Sequence, residues 1–206
     1  PEKGNSENDR KRRDLRDSIL EVNKLAANYY FACLKSEQGK IGYEYLTKRE
    51  LKPETIVRFG LGFAGKGGSP LYQYVKSKDS VLKETGLFTY DEKRGVYDKF
   101  WNRVMFPILD RNNRVIAFGG RVMGDAKPKY LNSPETMVFD KSRNLYGLNF
   151  VHGKQSEGMI ICEGYMDVIA LHQAGFTNAV ASLGTAFTSQ HCSLLKRYTD
   201  LVYLSY

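Results

Sequence analysis

The sequence predicts an α/β protein: a mixed α+β part up to about residue 150, then a parallel βαβαβ unit. Three observations carry this. Apolar residues recur at helical spacing from Leu15 onward, two β-type runs flank a turn near residue 111, and three short apolar runs after Met159 alternate with helix-type segments.

The elements follow in order. Residues 1–14 are polar and contain Arg10-Lys11-Arg12-Arg13, which reads as a linker or flexible terminus. Leu15, Ile19, Val22, Leu25, Ala26, Tyr29 and Ala32 then mark about five turns of amphipathic helix. Pro53 is placed to open a short helix and Gly60 to close it. Ser69-Pro70 reads as an N-cap followed by proline at the first helical position, and Gly86 closes a further short helix. Val104, Met105, Phe106, Ile108 and Leu109 form a strand-like run, Asp110-Arg111-Asn112-Asn113 a turn, and Val115, Ile116, Ala117 and Phe118 a second strand. Gly119-Gly120 marks a bulge or a close approach of another group. Residues 127–142, with Pro128 and Pro134, lack periodicity and read as an ordered loop or a connection.

From Met159 the rhythm is regular. A strand over 159–162 leads to a helix over 165–174 stopped by Gly175, a strand over 178–182, a helix capped by Thr188 or Ser189 that runs to about Tyr198, and a strand over 201–204. Such an order implies parallel strands with right-handed crossovers, so all three strands end on one side. Domain boundaries follow: 1–14 linker, 15–150 a basic mixed subdomain, 151–206 the parallel unit.

Composition narrows the class. With 42% hydrophobic residues the chain can bury a core, which excludes global disorder. No apolar run approaches the roughly 20 residues of a membrane span, and no secretory signal is visible, so no membrane partner is expected. Cys33, Cys162 and Cys192 are far apart and form neither a disulfide framework nor a Cys-x-x-Cys pattern, which fits a reducing, cytoplasmic setting. The net charge of +8 is uneven: residues 151–206 carry three cations against four anions, leaving +9 on the first 150. A basic half points to a polyanion such as nucleic acid, with an inert basic surface as the alternative.

The run Met159-Ile160-Ile161-Cys162-Glu163-Gly164-Tyr165-Met166-Asp167 holds the strongest local chemistry. A buried strand ends in a carboxylate, a glycine permits the turn, and a helix starts with a second carboxylate one turn on. Ligands of parallel sheets bind beyond the carboxyl ends of the strands, and two carboxylates there suit a Mg²⁺ site. The competing reading, left open by spacing alone, is a surface acidic pair capping an ordinary helix. His152, His172 and His191 are scattered without metal-ligand spacing, which favours packing or surface roles.

Five motifs carry a family resemblance. Glu163-Gly164-Tyr165-Met166-Asp167-Val168, continued by Ala181-Ser182-Leu183-Gly184-Thr185, closely resembles the TOPRIM region of bacterial replicative primases, the DnaG family. Upstream, Arg103-Val104-Met105-Phe106-Pro107-Ile108, Phe118-Gly119-Gly120-Arg121-Val122 and Pro128-Lys129-Tyr130-Leu131-Asn132-Ser133-Pro134-Glu135-Thr136 resemble signatures of the same family, as does Leu145-Tyr146-Gly147-Leu148. The resemblance runs from about residue 20 to 206.

It implies a catalytic core that makes short RNA primers on single-stranded DNA by nucleotidyl transfer. Glu163 would be metal ligand and acid/base group, and Asp167 would organise the site with it around Mg²⁺ or Mn²⁺. Lys129, Tyr130, Asn132 and Lys141 would bind ribonucleoside triphosphate. Arg103, Arg114 and Arg121 would contact template or product backbone. Trp101 departs from the family, which often has arginine there; Lys99 keeps a charge close by. The family's further Asp-x-Asp pair would fall after Tyr206, so the fragment is expected to be inactive alone. Zinc is expected only in a separate N-terminal module, and a replicative helicase is an expected partner of the full-length protein. The setting implied is the bacterial cytoplasm, at nucleoid replication forks. A different class, a noncatalytic single-stranded DNA-binding module, is the rival reading.

Overall fold

The computed structural model describes residues 2–93 and 95–206. Helix α1 spans Glu2–Leu34. Residues 2–14, within the segment expected to be a linker or flexible terminus, are helical, with residue 1 outside the described part. No glycine or proline interrupts the chain between Gly4 and Gly39, and Lys11 pairs with Glu7 one turn away at 2.8 Å, a weak helix-stabilising contact. Side chains 7–14 are all exposed, in keeping with the absence of an apolar stripe over these residues. Burial begins at Ile19 and continues through Val22, Ala26, Tyr30 and Cys33.

Helices α2 (Lys40–Lys48) and α3 (Pro53–Arg58) follow, with Pro53 at the first helical position and Gly60 at φ +60° after the end, as the sequence predicts. Strand β1 is Gly62–Ala64, α4 Pro70–Val75 and α5 Asp79–Leu82. Ser69 occupies the N-cap of α4 but makes no side-chain cap bond. The buried Asp98 carboxylate accepts from the N–H groups of Leu71 (2.9 Å) and Tyr72 (3.0 Å) instead. Asp98 ends the hairpin β2 (Phe88–Asp91) and β3 (Gly95–Asp98).

Strands β4 (Arg103–Leu109), β5 (Val115–Val122) and β6 (Tyr130–Asn132) join β1 in an antiparallel sheet of order β1-β4-β5-β6. Alternation along β4 gives the sheet two buried faces. Met105, with Phe118 of β5, faces Val22, Ala26 and Tyr30 of α1. Val104, Phe106 and Ile108 face the parallel unit. Strand β6 lies inside the segment read as a loop; three residues between two prolines carry too little pattern to show.

The parallel unit consists of β7 (Met159–Cys162), α6 (Tyr165–Gln173), β8 (Ala179–Ala181), α7 (Ser189–Leu195) and β9 (Val202–Ser205). The order is β8-β7-β9, all parallel, with β7 central. All four residues of β9 are exposed, and among the described residues it pairs only through β7. One core joins both parts: Val104, Phe106 and Ile108 pack with Cys162, Tyr165, Val168 and Ile169.

Candidate active site

Because β7 is central and its neighbours are reached by crossovers in opposite directions, its carboxyl end opens into a crevice. Glu163 leaves the strand there, Gly164 takes extended backbone at the N-cap of α6, and Asp167 lies in the first helical turn. Asp167 Oδ2 accepts from the Gly164 N–H at 3.2 Å, which leaves Oδ1 and the Glu163 carboxylate facing solvent. A cavity of about 550 Å³ opens on these two carboxylates, lined also by Tyr130, Asn132, Tyr165 and the Ser182–Ala186 loop residues Ser182, Gly184, Thr185 and Ala186.

The opposite wall comes from β6, and its placement rests on a bridge. Tyr165, 6% exposed, sends its hydroxyl to Asn132 Oδ1 at 2.6 Å. Asn132 Nδ2 donates to the Leu183 carbonyl at 3.2 Å. Both polar ends of Asn132 are thus engaged with the parallel unit. The Tyr165 ring stacks on Phe106, with centroids 5.2 Å apart, and meets Tyr146 edge-on at 4.7 Å. Gly119 explains the close approach read at Gly119-Gly120: a Cβ there would lie 2.4 Å from the Tyr165 ring. At Gly184, with φ +71°, a Cβ would lie 2.6 Å from Asn132 Nδ2. Burial drives the Tyr165 phenol well above its ordinary range, so it stays a neutral donor. Burial, reinforced by the nearby Asp167 charge, likewise pushes the Cys162 thiol up to about 11, which makes it a packing group.

The remaining expected site residues divide. Tyr130 is 44% exposed and presents its ring to the cavity. Lys129 is exposed beside it, and its carbonyl accepts from the Val122 N–H. Arg121 pairs with Tyr130 across the sheet and lies over the Tyr45 ring at 4.2 Å. Lys141 lies outside the cavity, close enough to Lys99 that its charge, after burial, helps lower the Lys99 pKa. Both lysines are half-buried, and neither has an ion-pair partner among the described residues.

Two residues depart from the expectation. Arg103 is 3% exposed, and its guanidinium donates to the carbonyls of Gly120 (3.1 Å) and Lys129 (3.4 Å). It faces the core side of an internal strand, so it braces β5 and the start of β6 and does not present a charge to a backbone in solution. Arg114 stands at the opposite end of β5 from Arg121, and both its Nε and Nη2 engage Asp110 Oδ2, at 2.9 and 2.7 Å. It locks the β4–β5 turn. Tyr165 stands in the sequence only as part of a motif; its long-range bond to Asn132, thirty-three residues away, has no local signature.

Oxygen donors from two carboxylates in one open cavity suit a hard divalent cation that keeps waters and substrate oxygens in its shell. Among the described residues no group of three or more His, Cys, Asp or Glu is placed to hold a metal ion.

The fold and site define a class first: residues 160–206 match the Toprim-like family, with the carboxylate pair at the end of its first strand. Residues 29–152 match the family of the DNA primase catalytic core, N-terminal domain, and the chain belongs to the DnaG-type DNA primases. It is 47% identical over 200 residues to a DNA primase of Clostridium acetobutylicum, covering 95% of this chain and 33% of that protein. Against a DNA primase of Deinococcus radiodurans it is 46% identical over 185 residues, covering 87% and 32%. A solved DnaG primase catalytic domain bound to single-stranded DNA superposes with a TM-score of 0.86 at 40% identity, covering 93% of this chain and 63% of that one. An E. coli primase catalytic core gives the same TM-score and identity, covering 90% and 61%. The chain thus spans about a third of the length of the curated relatives it matches.

Proposed function

We propose that the protein containing this chain synthesises RNA primers on a single-stranded DNA template, and that the cavity between β6 and β7 is part of its polymerising site. The observation that carries this reading is the convergence of Tyr130 and Asn132 from the basic sheet with Glu163 and Asp167 from the parallel unit on one cavity. Glu163 and Asp167 would hold Mg²⁺ or Mn²⁺, which supplies activation of the attacking hydroxyl and charge stabilisation at the transferred phosphate. The exposed Tyr130 ring offers a stacking face for a base. Lys129, and Lys141 with Lys99, offer ammonium groups to a triphosphate as point charges. Tyr165 and Asn132 keep these two sets of groups in register. In the reaction a 3′-hydroxyl attacks the α-phosphate of the incoming ribonucleotide and pyrophosphate leaves.

Glu163→Gln, made in the full-length protein, is expected to abolish metal-dependent primer synthesis while leaving the thermal unfolding curve unchanged; full activity in that variant would sink the assignment. Titrating a ribonucleoside triphosphate with and without Mg²⁺ separates this reading from a noncatalytic DNA-binding module. Metal-dependent binding that weakens in Lys129→Ala and Lys141→Ala supports the polymerase.

A further inference from the structure

A second cavity, of about 580 Å³, has the opposite charge character and shares no lining residue with the first. It is lined by Arg111, Arg143, Arg197, Ser189, Ser193, Gln190 and Leu194, with no carboxylate among them. The three arginines come from separate elements. Arg111 is on the β4–β5 turn, Arg143 on the 3-10 turn Lys141–Arg143, and Arg197 just after α7. None was assigned a role by the sequence.

The walls are tied together. His191 of α7 is fully buried, and its Nε2 lies 2.8 Å from the Lys141 carbonyl and 3.2 Å from that of Asn144. The Thr188 hydroxyl donates to the Ser142 carbonyl at 3.3 Å. Arg111 rests over the Tyr198 ring at 5.5 Å. Arg143 has one exposed contact, to Asp140 at 3.4 Å, and that carboxylate already accepts from the Ser142 N–H and hydroxyl. Arg197 has no ion pair among the described residues. Three guanidinium groups held around one concavity repel each other, and an anion entering it relieves that repulsion. The planar paired donors of arginine match phosphate oxygens, and Ser189 and Ser193 add hydroxyls. The volume equals that of about 20 waters, more than a single phosphate ion needs, so it accommodates consecutive phosphates.

We propose that this cleft is a phosphate-binding site, separate from the carboxylate cavity, that takes the backbone of a nucleic-acid strand. It requires no divalent cation, and its existence does not depend on the polymerase reading.

The test replaces Arg111, Arg143 and Arg197 together with Gln. Binding of a labelled single-stranded oligonucleotide is followed by fluorescence anisotropy without divalent cation, between about 50 and 200 mM salt. The expected result is binding weaker by roughly two orders of magnitude at the low-salt end, with the slope of log affinity against log salt reduced by about 2, the value for three lost phosphate contacts to a single strand. A triple Arg→Lys variant, which keeps the charges, should retain most of the slope. Affinity and slope unchanged in the Gln variant would overturn the proposal. A parallel arm uses a free nucleoside triphosphate: weakening confined to that arm overturns the strand as occupant. The assay omits the divalent cation and reads no primer synthesis, so a failure of the catalytic assignment and a failure of this one are told apart. Because all three arginines are exposed, the thermal unfolding of each variant should match the parent.

Discussion

His172 shows how one side chain ties the two halves of the molecule to pH. It is 3% exposed on α6, with Nε2 at 2.9 Å from the Ala179 carbonyl and ring contacts to Phe59 and Phe150. The carbonyl requires a proton on Nε2, and Nδ1 has no partner, so the native ring is neutral. Burial lowers its pKa most; the Ala179 carbonyl opposes this, and the Arg58 charge adds to the lowering. In the unfolded chain the imidazole titrates at about 6.5. Below that pH the unfolded state takes up a proton that the folded state refuses, so stability is fully present above about pH 6.5 and falls as pH drops through the folded value. The denaturant midpoint should therefore fall between about pH 7 and 5, and His172→Leu should flatten that part of the profile. An equally steep profile in the variant would show that other groups carry the dependence. Arg103 and Arg114 make the complementary point about legibility. Both were readable as cations near a phosphate backbone, but only the fold reveals that Arg103 Nη1 donates to main-chain carbonyls and that Arg114 Nε and Nη2 engage Asp110.

Between elements, the Tyr165–Asn132 hydrogen bond of 2.6 Å links α6 to β6 across the carboxylate cavity. Tyr165→Phe keeps the ring on Phe106 and opposite Gly119 but strands the Asn132 oxygen. The expected loss is about 1 kcal/mol, read as a lower denaturant midpoint. If the bond sets the spacing of the cavity walls, the same variant in the full-length protein should raise KM for nucleotide more than the small stability loss accounts for; an unchanged KM would reduce the bond to a packing detail. The order of the parallel unit, its helix stops and the β4–β5 turn were legible because each depends on local signals: apolar runs, glycines at helix ends, turn formers. Strand β1 and the β2–β3 hairpin were not, since runs of three or four residues carry no periodicity to detect. Nor could Ser69-Pro70 disclose that α4 is capped by Asp98 from a distant hairpin.

At the scale of the whole molecule, the boundary near residue 150 marks a change of chain pattern but not a gap in packing. Val104, Phe106 and Ile108 share one core with Cys162, Tyr165 and Val168, and the bridge between Tyr146 and Ala181 adds backbone pairing across the same boundary. Neither part buries its facing side alone. The chain should therefore unfold in a single transition, with far-ultraviolet and near-ultraviolet circular dichroism changing together; two separated transitions would mean independent cores. The site was legible to the extent that its carboxylates and Tyr130 sit within contiguous motifs. The arginine cleft was not, because its three cations lie on segments that only folding brings together.

The exposed last strand has a practical corollary. Strand β9 has Val202, Tyr203 and Leu204 at 45%, 51% and 68% exposure, and its outer margin offers free N–H and C=O groups to any passing β-segment. Apolar side chains beside an edge of this kind are a template for a further strand, so a segment able to pair there would extend the parallel sheet past β9.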